Sequence, residues 1–304
     1  MTRPQPAALF FAALLCASLA PGASSQEPET AQESSQGEIK RLEAWPAPKK
    51  ASAVRKEITR LRKGSTEGMI EQSGETLRGF GAAAAPLLIE ALGASTLAAE
   101  KHDAAADRLV QLLDEITGPA HTRLIAKEYS AKSPRVRSWA LRRSAAWPDA
   151  GTLAAAEEAL QTETKRPLEQ FPDLAFDAAI AATTAGSVLG LDTINARSIE
   201  DWSKIGTRVR SALEQVRGED ASAKLAVHLG DSNRKKIVAA LRMLAGCGTT
   251  SAIPAIVPHL QSKDASILIA AINACRGIVD GDPPLARMSV FQAVEKAKPW
   301  LKRL

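Results

Sequence analysis

His228-Leu229-Gly230-Asp231 leads into Ile237, Ala240, Leu241 and Leu244, and 31 residues later His259-Leu260-Gln261-Ser262 leads into Leu268, Ala271, Ile272 and Cys275. The apolar positions fall three and four apart, the spacing of one face of an α-helix. A fixed-period echo of that spacing marks stacked helical units, because one short helix pair cannot bury its own apolar face. Further upstream, Ala85-Pro86-Leu87-Leu88-Ile89-Glu90-Ala91-Leu92 stands 168 residues before the similar phrase Ile253-Pro254-Ala255-Ile256-Val257-Pro258-His259-Leu260. Proline in a first helical turn loses no hydrogen bond and presets φ, so both phrases read as helix starts.

The same spacing recurs along the rest of the chain. Val54, Ile58 and Leu61 share one face; Ser65 or Thr66 can cap a following helix carrying Met69, Ile70 and Leu77. A helix from His102-Asp103 carries the stripe Ala106, Leu109, Val110, Leu113 and Ile116, and Ser133-Pro134-Arg135-Val136-Arg137 opens another with Trp139 and Ala140. Leu153–Leu160 and Leu174–Ala182 form a pair joined by a polar insert at 162–172. Gly186 to Gly218 reads as irregular apart from a helix holding Ile205, Val209, Ala212, Leu213 and Val216. A last helix runs from about Ala286 through Val290, Val294 and Ala297, with Pro299 kinking or ending it. Hydrophobic residues make up 45% of the chain but aromatics only 4%, and Ala and Leu, strong helix formers, dominate. The expected fold is therefore all-α: an α-solenoid, a superhelix of antiparallel helix pairs, preceded by a signal peptide and a flexible spacer.

Arg3, the apolar run Ala7–Ala17 and the small residues Ala20 to Ser25 have the layout of an export signal, placed at 1–24. A retained N-terminal anchor is the alternative, although the run is short for a membrane span. Residues 25–50, rich in Glu, Gln, Ser and Pro, read as a flexible spacer, and 51–304 as the repeat domain. Loss of Arg3 with the leader brings the net charge from +5 to near +4, too mild an excess to argue for nucleic acid. Cys247 and Cys275 fall on apolar repeat positions, so buried free thiols are expected in preference to a disulfide.

Short helix pairs, the Ala/Ile-Pro starts at Ala85–Leu92 and Ala252–Asp280, and the Val-Arg opening at Ser133–Arg143 resemble the HEAT-repeat family, in its exported bacterial form. The resemblance implies an extended binding surface for another protein. Some HEAT-like relatives are bilin lyases or their partners, so it also implies an alternative: a lyase-like enzyme or enzyme subunit. The helix at 53–63 and the C-terminal helix, with Lys296, Lys298, Lys302 and Arg303, read as polar-faced caps of the stack.

Candidate chemistry is sparse. His228 and His259 occupy equivalent repeat positions about one helix layer, roughly 10 Å, apart, which is too far to share a metal without further ligands. Asp114-Glu115, Glu157-Glu158 and Asp280/Asp282 read as solvated carboxylates, and no nucleophile elbow, zinc-protease or phosphate-cradling motif is present. No catalytic, cofactor-binding or metal-ligating residue is assigned. The best binding candidate is the basic cluster Lys132, Arg135, Arg137, Arg142 and Arg143, in which Arg135 and Arg142 lie seven apart on one helix face; a solvated helix surface is the competing reading. Stacking aromatics are too few for single-stranded nucleic acid. The expected function is a non-catalytic scaffold exported to the periplasm or the extracellular space, without cofactor or membrane span after signal cleavage, whose partner is another protein.

Overall fold

The computed structural model describes residues 39–95, 103–166, 173–285 and 287–303. The expected signal peptide, most of the expected spacer and part of the polar insert lie outside the described residues. The chain is all-helical, with no strand among the described residues. In order, the helices are α1 (Ala51–Lys63), α2 (Glu67–Phe80), α3 (Ala85–Gly93), α4 (Ala104–Ile116), α5 (Thr122–Ala126), α6 (Pro134–Ser144), α7 (Leu153–Glu163), α8 (Leu174–Thr184), α9 (Leu191–Leu213), α10 (Glu219–Ala226), α11 (Arg234–Cys247), α12 (Ile253–Ile256), α13 (Ala265–Cys275) and α14 (Val290–Arg303). Packing is mostly between neighbours in the chain: α1 on α2, α3 on α4, α5 on α6, α7 on α8, then α8 on α9, α9 on α11, α11 on α13 and α13 on α14.

The 31-residue echo is a structural one. Short helices α10 and α12 each run into a tight 3-10 turn, at Val227–Gly230 and Val257–Gln261, before α11 and α13 begin. Leu229 and Leu260, Ile237 and Leu268, Ala240 and Ala271, Leu241 and Ile272, and Leu244 and Cys275 are all buried. The caps repeat as well: Asn233 accepts from the Lys235 N–H, and Asp264, 31 residues on, accepts from Ser266 and Ile267, satisfying donors that a helix start leaves open. The Ala85 and Ile253 phrases also coincide, since Leu88 and Ile256, and Leu92 and Leu260, are buried alike.

The same frame appears once more, 100 residues upstream. Ile125 and Tyr129 take the places of Leu225 and Leu229, and Arg137, Ala140, Leu141 and Ser144 those of Ile237, Ala240, Leu241 and Leu244; all are buried. Close contacts hold the units together. A Cβ on Gly277 would lie 2.3 Å from the Ala245 carbonyl oxygen, and one on Gly190 2.5 Å from that of Ala179, so both positions exclude a side chain.

Several elements depart from the sequence reading. Residues 191–200 are helical: α9 runs through most of the stretch read as irregular, and Leu191, Ile194, Asn195 and Ser198 are its buried residues there. It kinks at Asp201, whose carboxylate accepts from Ser203 and caps the second half. Helix α8 is buried on every side under α6, α7, α9 and the flanking turns, as a helix with an unbroken small apolar surface should be. In α4, Leu112 joins the buried face while Val110 and Ile116 are only half-buried. Helix α14 starts at Val290 and continues through Pro299 to Arg303. Its inward residues are Ala293, Ala297 and Trp300, whereas Val290 and Val294 are exposed, so its outer side is not the polar cap expected.

Residues 39–50, assigned to the spacer by sequence, make specific contacts. The Leu42 N–H donates to the Ala120 carbonyl at 2.8 Å, Arg41 pairs with Asp149 at 3.1 Å, and Trp45 stacks on His121 at 5.4 Å between centroids. Burial lowers the His121 pKa, which favours the neutral ring under the indole.

Candidate functional site

Helices α4 and α6 diverge to leave a groove of about 570 Å³. Leu92 and Val110 supply its apolar lining. Asp107, Gln111, Asp114 and Glu115 line it from α4, and Arg135, Ser138 and Arg142 from α6. The α4 residues are four, three and one apart, which puts them on the polar face of a helix whose apolar face is buried against the core.

The groove is pinned at the end of α4. The Trp139 indole N–H donates to Asp114 Oδ1 at 3.0 Å. Arg143 donates to the backbone carbonyls of Asp114 and Thr117 and, at 3.1 Å, to Thr117 Oγ1, and its guanidinium lies 4.0 Å over the Trp147 ring. Arg143 thereby satisfies carbonyls that a helix C-terminus leaves unpaired. Glu115 is fixed by Arg78 at 2.6 Å; that hydrogen bond, outweighing desolvation, holds its carboxyl below the ordinary range.

Of the five basic residues picked out by sequence, the structure brings only Arg135 and Arg142 into the groove lining. Lys132 is exposed, Arg143 is the bolt just described, and Arg137 is inside the fold. The Arg137 Nε lies 2.7 Å from Glu163 Oε1 on α7, with the two side chains 4% and 2% exposed; its Nη1 donates to the carbonyls of Ala131 and Lys132. Sequence reasoning missed this because a charged residue between Val136 and Trp139 looks like surface. Its alignment with Ile237 and Leu268 was the available signal.

Arg142 is half exposed, 3.8 Å from Asp177. Burial pushes the Asp177 carboxyl up, and this outweighs Arg208 at 2.6 Å, Arg142 and the Ser138 hydroxyl, all of which favour the charged form. Arg135 differs from the other four arginines and lysines of the cluster in one respect. It is half-buried, its Nε is shielded from solvent, and it has no hydrogen-bond or ion-pair partner among the described residues. It also sits in the first turn of α6, where the helix dipole disfavours a cation. For Arg137 the Glu163 pairing offsets that cost; for Arg135 nothing in the fold does.

The other residues singled out by sequence are dispersed. His228 pairs with Asp192 at 3.0 Å, while burial lowers the pKa of His259, which interacts with the Leu229 backbone instead. Cys247 and Cys275 are buried free thiols, pushed up by desolvation to about 12 and about 11. Glu157 accepts from Ser187, Asp280 pairs with Arg303, and Asp282 with Arg276. No group of three or more metal-ligating side chains occurs among the described residues, and none of the helices described there is long and apolar enough to cross a membrane. The groove's chemistry is thus ion pairing and hydrogen bonding across two walls of opposite charge. The chain matches no protein-family model, and no curated protein matches it significantly.

Proposed function

We propose that this protein is a non-catalytic, exported scaffold of the HEAT-repeat kind, an α-solenoid that binds another protein through the α4–α6 groove. The observation that carries the reading is Arg135, a partly desolvated guanidinium with no partner, on a wall that faces carboxylates. A guanidinium in that state gains most from a carboxylate arriving in its plane, where two parallel hydrogen bonds replace lost water. A partner segment presenting an Asp, a Glu or a C-terminal carboxylate fits this requirement. Neighbour-on-neighbour packing and the repeated frame at 121–144, 221–247 and 252–275 support the solenoid reading, and the basic, apolar, small-residue order of residues 3–25 supports export.

The test is a photo-crosslinker placed at Gln111, in the groove, in cells that export the protein. One dominant adduct is expected, reduced at least about ten-fold by Arg135→Glu, the loss that follows from turning a charge-assisted pair into a repulsive one. An adduct insensitive to Arg135→Glu would overturn the reading, as would its absence from the exported fraction.

A further inference from the structure

Helix α14 has two apolar faces. Ala293, Ala297 and Trp300 pack against α13 and the turn at 257–261. The second face points away from the fold: Val290 is 57% exposed, Phe291 76%, Val294 45% and Leu301 38%. At 100° per residue, Val290, Val294 and Leu301 form one line along the helix, with Phe291, Lys298 and Lys302 in the adjacent row. Lys296 and Arg303 are exposed too, and Arg287 stands just before the helix. The only carboxylate on α14, Glu295, pairs with Lys298 at 2.6 Å, while Arg287, Lys296 and Lys302 have no ion-pair partner among the described residues. An isolated exposed valine needs no explanation, but four large apolar side chains along one helix edge, bordered by cations, do.

From this arrangement we infer that α14 is a membrane-surface element that docks on an anionic lipid bilayer. Its charge selects among possible occupants. A second copy of the chain laid on this ridge brings Lys298 and Lys302 against their own counterparts, and like charges across a contact oppose it. The ridge is also convex: Phe291 and Val290 project from the surface, so there is no trough into which a partner's peptide or helix could seat. Projecting apolar side chains flanked by Lys and Arg suit the boundary between acyl chains and anionic headgroups, where the apolar row enters the hydrocarbon edge and the cations stay at phosphate level. A helix of this length lies in the plane of the surface and does not span it. The inference is independent of the groove, which lies on other helices.

The experiment is co-flotation of the full chain with vesicles of neutral phosphatidylcholine and with vesicles containing about one-third phosphatidylglycerol. Phe291→Asp is read against Val227→Asp, because Val227 is likewise 76% exposed but lies on another element, and any contribution of the apolar leader is common to both. The expected result is preferential binding to the anionic vesicles that falls about ten-fold with Phe291→Asp, is weakened by high salt and is unchanged by Val227→Asp. Both substitutions are at exposed sites and should leave the melting transition in place, which circular dichroism checks. Equal binding of the two variants, or no preference for anionic lipid, would overturn the inference. So would a concentration-dependent dimer abolished by Phe291→Asp, which would assign the ridge to a second copy.

Discussion

The inward position that follows the short turn is Ile237 in α11 and Leu268 in α13, but Arg137 in α6. Other positions of the frame diverge in the same direction. Leu229 with Leu244 and Leu260 with Cys275 correspond to Tyr129 with Ser144, two residues joined by a short hydrogen bond. Thr249, which opens the turn before α12, corresponds to Asp149, which binds Arg123 and Arg41. The two downstream units are held by the shape and volume of aliphatic side chains. The upstream unit keeps the same backbone frame with polar groups, each matched to a partner. Glu163 reaches Arg137 from the next helix, α7, so the α5–α6 unit depends on its neighbour's chemistry as well as on its surface. Desolvating two charges costs several kcal/mol, and a hydrophobic replacement of the pair is often no worse, so such a pair fixes arrangement more than it adds stability.

That contrast can be broken most sharply at Glu163. Glu163→Ala leaves Arg137 charged and buried, and should cost about 3–5 kcal/mol, seen as a lower urea midpoint. The double change Arg137→Leu with Glu163→Leu should recover most of that loss by making α6 resemble α11; a double variant as weak as the single would show that the pair does more than fill the site. In the downstream unit, Leu241→Ala should cost about 3 kcal/mol by the same measurement, through lost burial and the cavity left behind.

Asp149 tests the polar unit by pH. Burial pushes its carboxyl up, but hydrogen bonds from Arg123 and the Gly151 N–H, with the charges of Arg123 and Arg41, outweigh this and bring it below the ordinary aspartate value of 3.8. Because the folded-state pKa is depressed, its stabilisation is full above the unfolded value and is lost as pH falls from there through the folded value. Asp149→Asn should therefore lower stability at pH 7 by about 1–2 kcal/mol and make little difference at pH 2, measured by urea unfolding at both pH values. Thr249, uncharged, has no such titration of its own. The smallest effect is expected for Tyr129→Phe, about 1 kcal/mol in thermal unfolding, since Ser144 Oγ keeps its 2.7 Å bond to the Ala140 carbonyl.

Much of this architecture was legible in the residues. The 31-residue offset located α10 to α13, and Val54, Ile58 and Leu61 gave the buried face of α1. The groove was legible only in part. Arg135 and Arg142 stood out as cations seven apart, but the opposite wall was concealed because α4 was read for its apolar stripe and not for Asp107, Gln111, Asp114 and Glu115 on its other side. The basic cluster was read as one surface because charge along a chain gives no sign of burial. Arg137 and Arg143 needed the positions of Glu163 and Thr117, which lie on other elements.

By itself, the sequence determined what depends on near neighbours in the chain: helical periodicity, the Asp and Asn caps, the proline starts and the recurrence of one frame. These follow from backbone geometry and from side chains within a turn or two of each other. Only the tertiary structure decided which charges went inside, which face of α14 turned inward and where α4 and α6 parted. Those outcomes depend on what a second element presents at the same point in space. Ala293 and Ala297 face α13 while the larger Val290, Phe291 and Val294 stay outside, an assignment that the helical period of α14 alone, apolar on both sides, does not make.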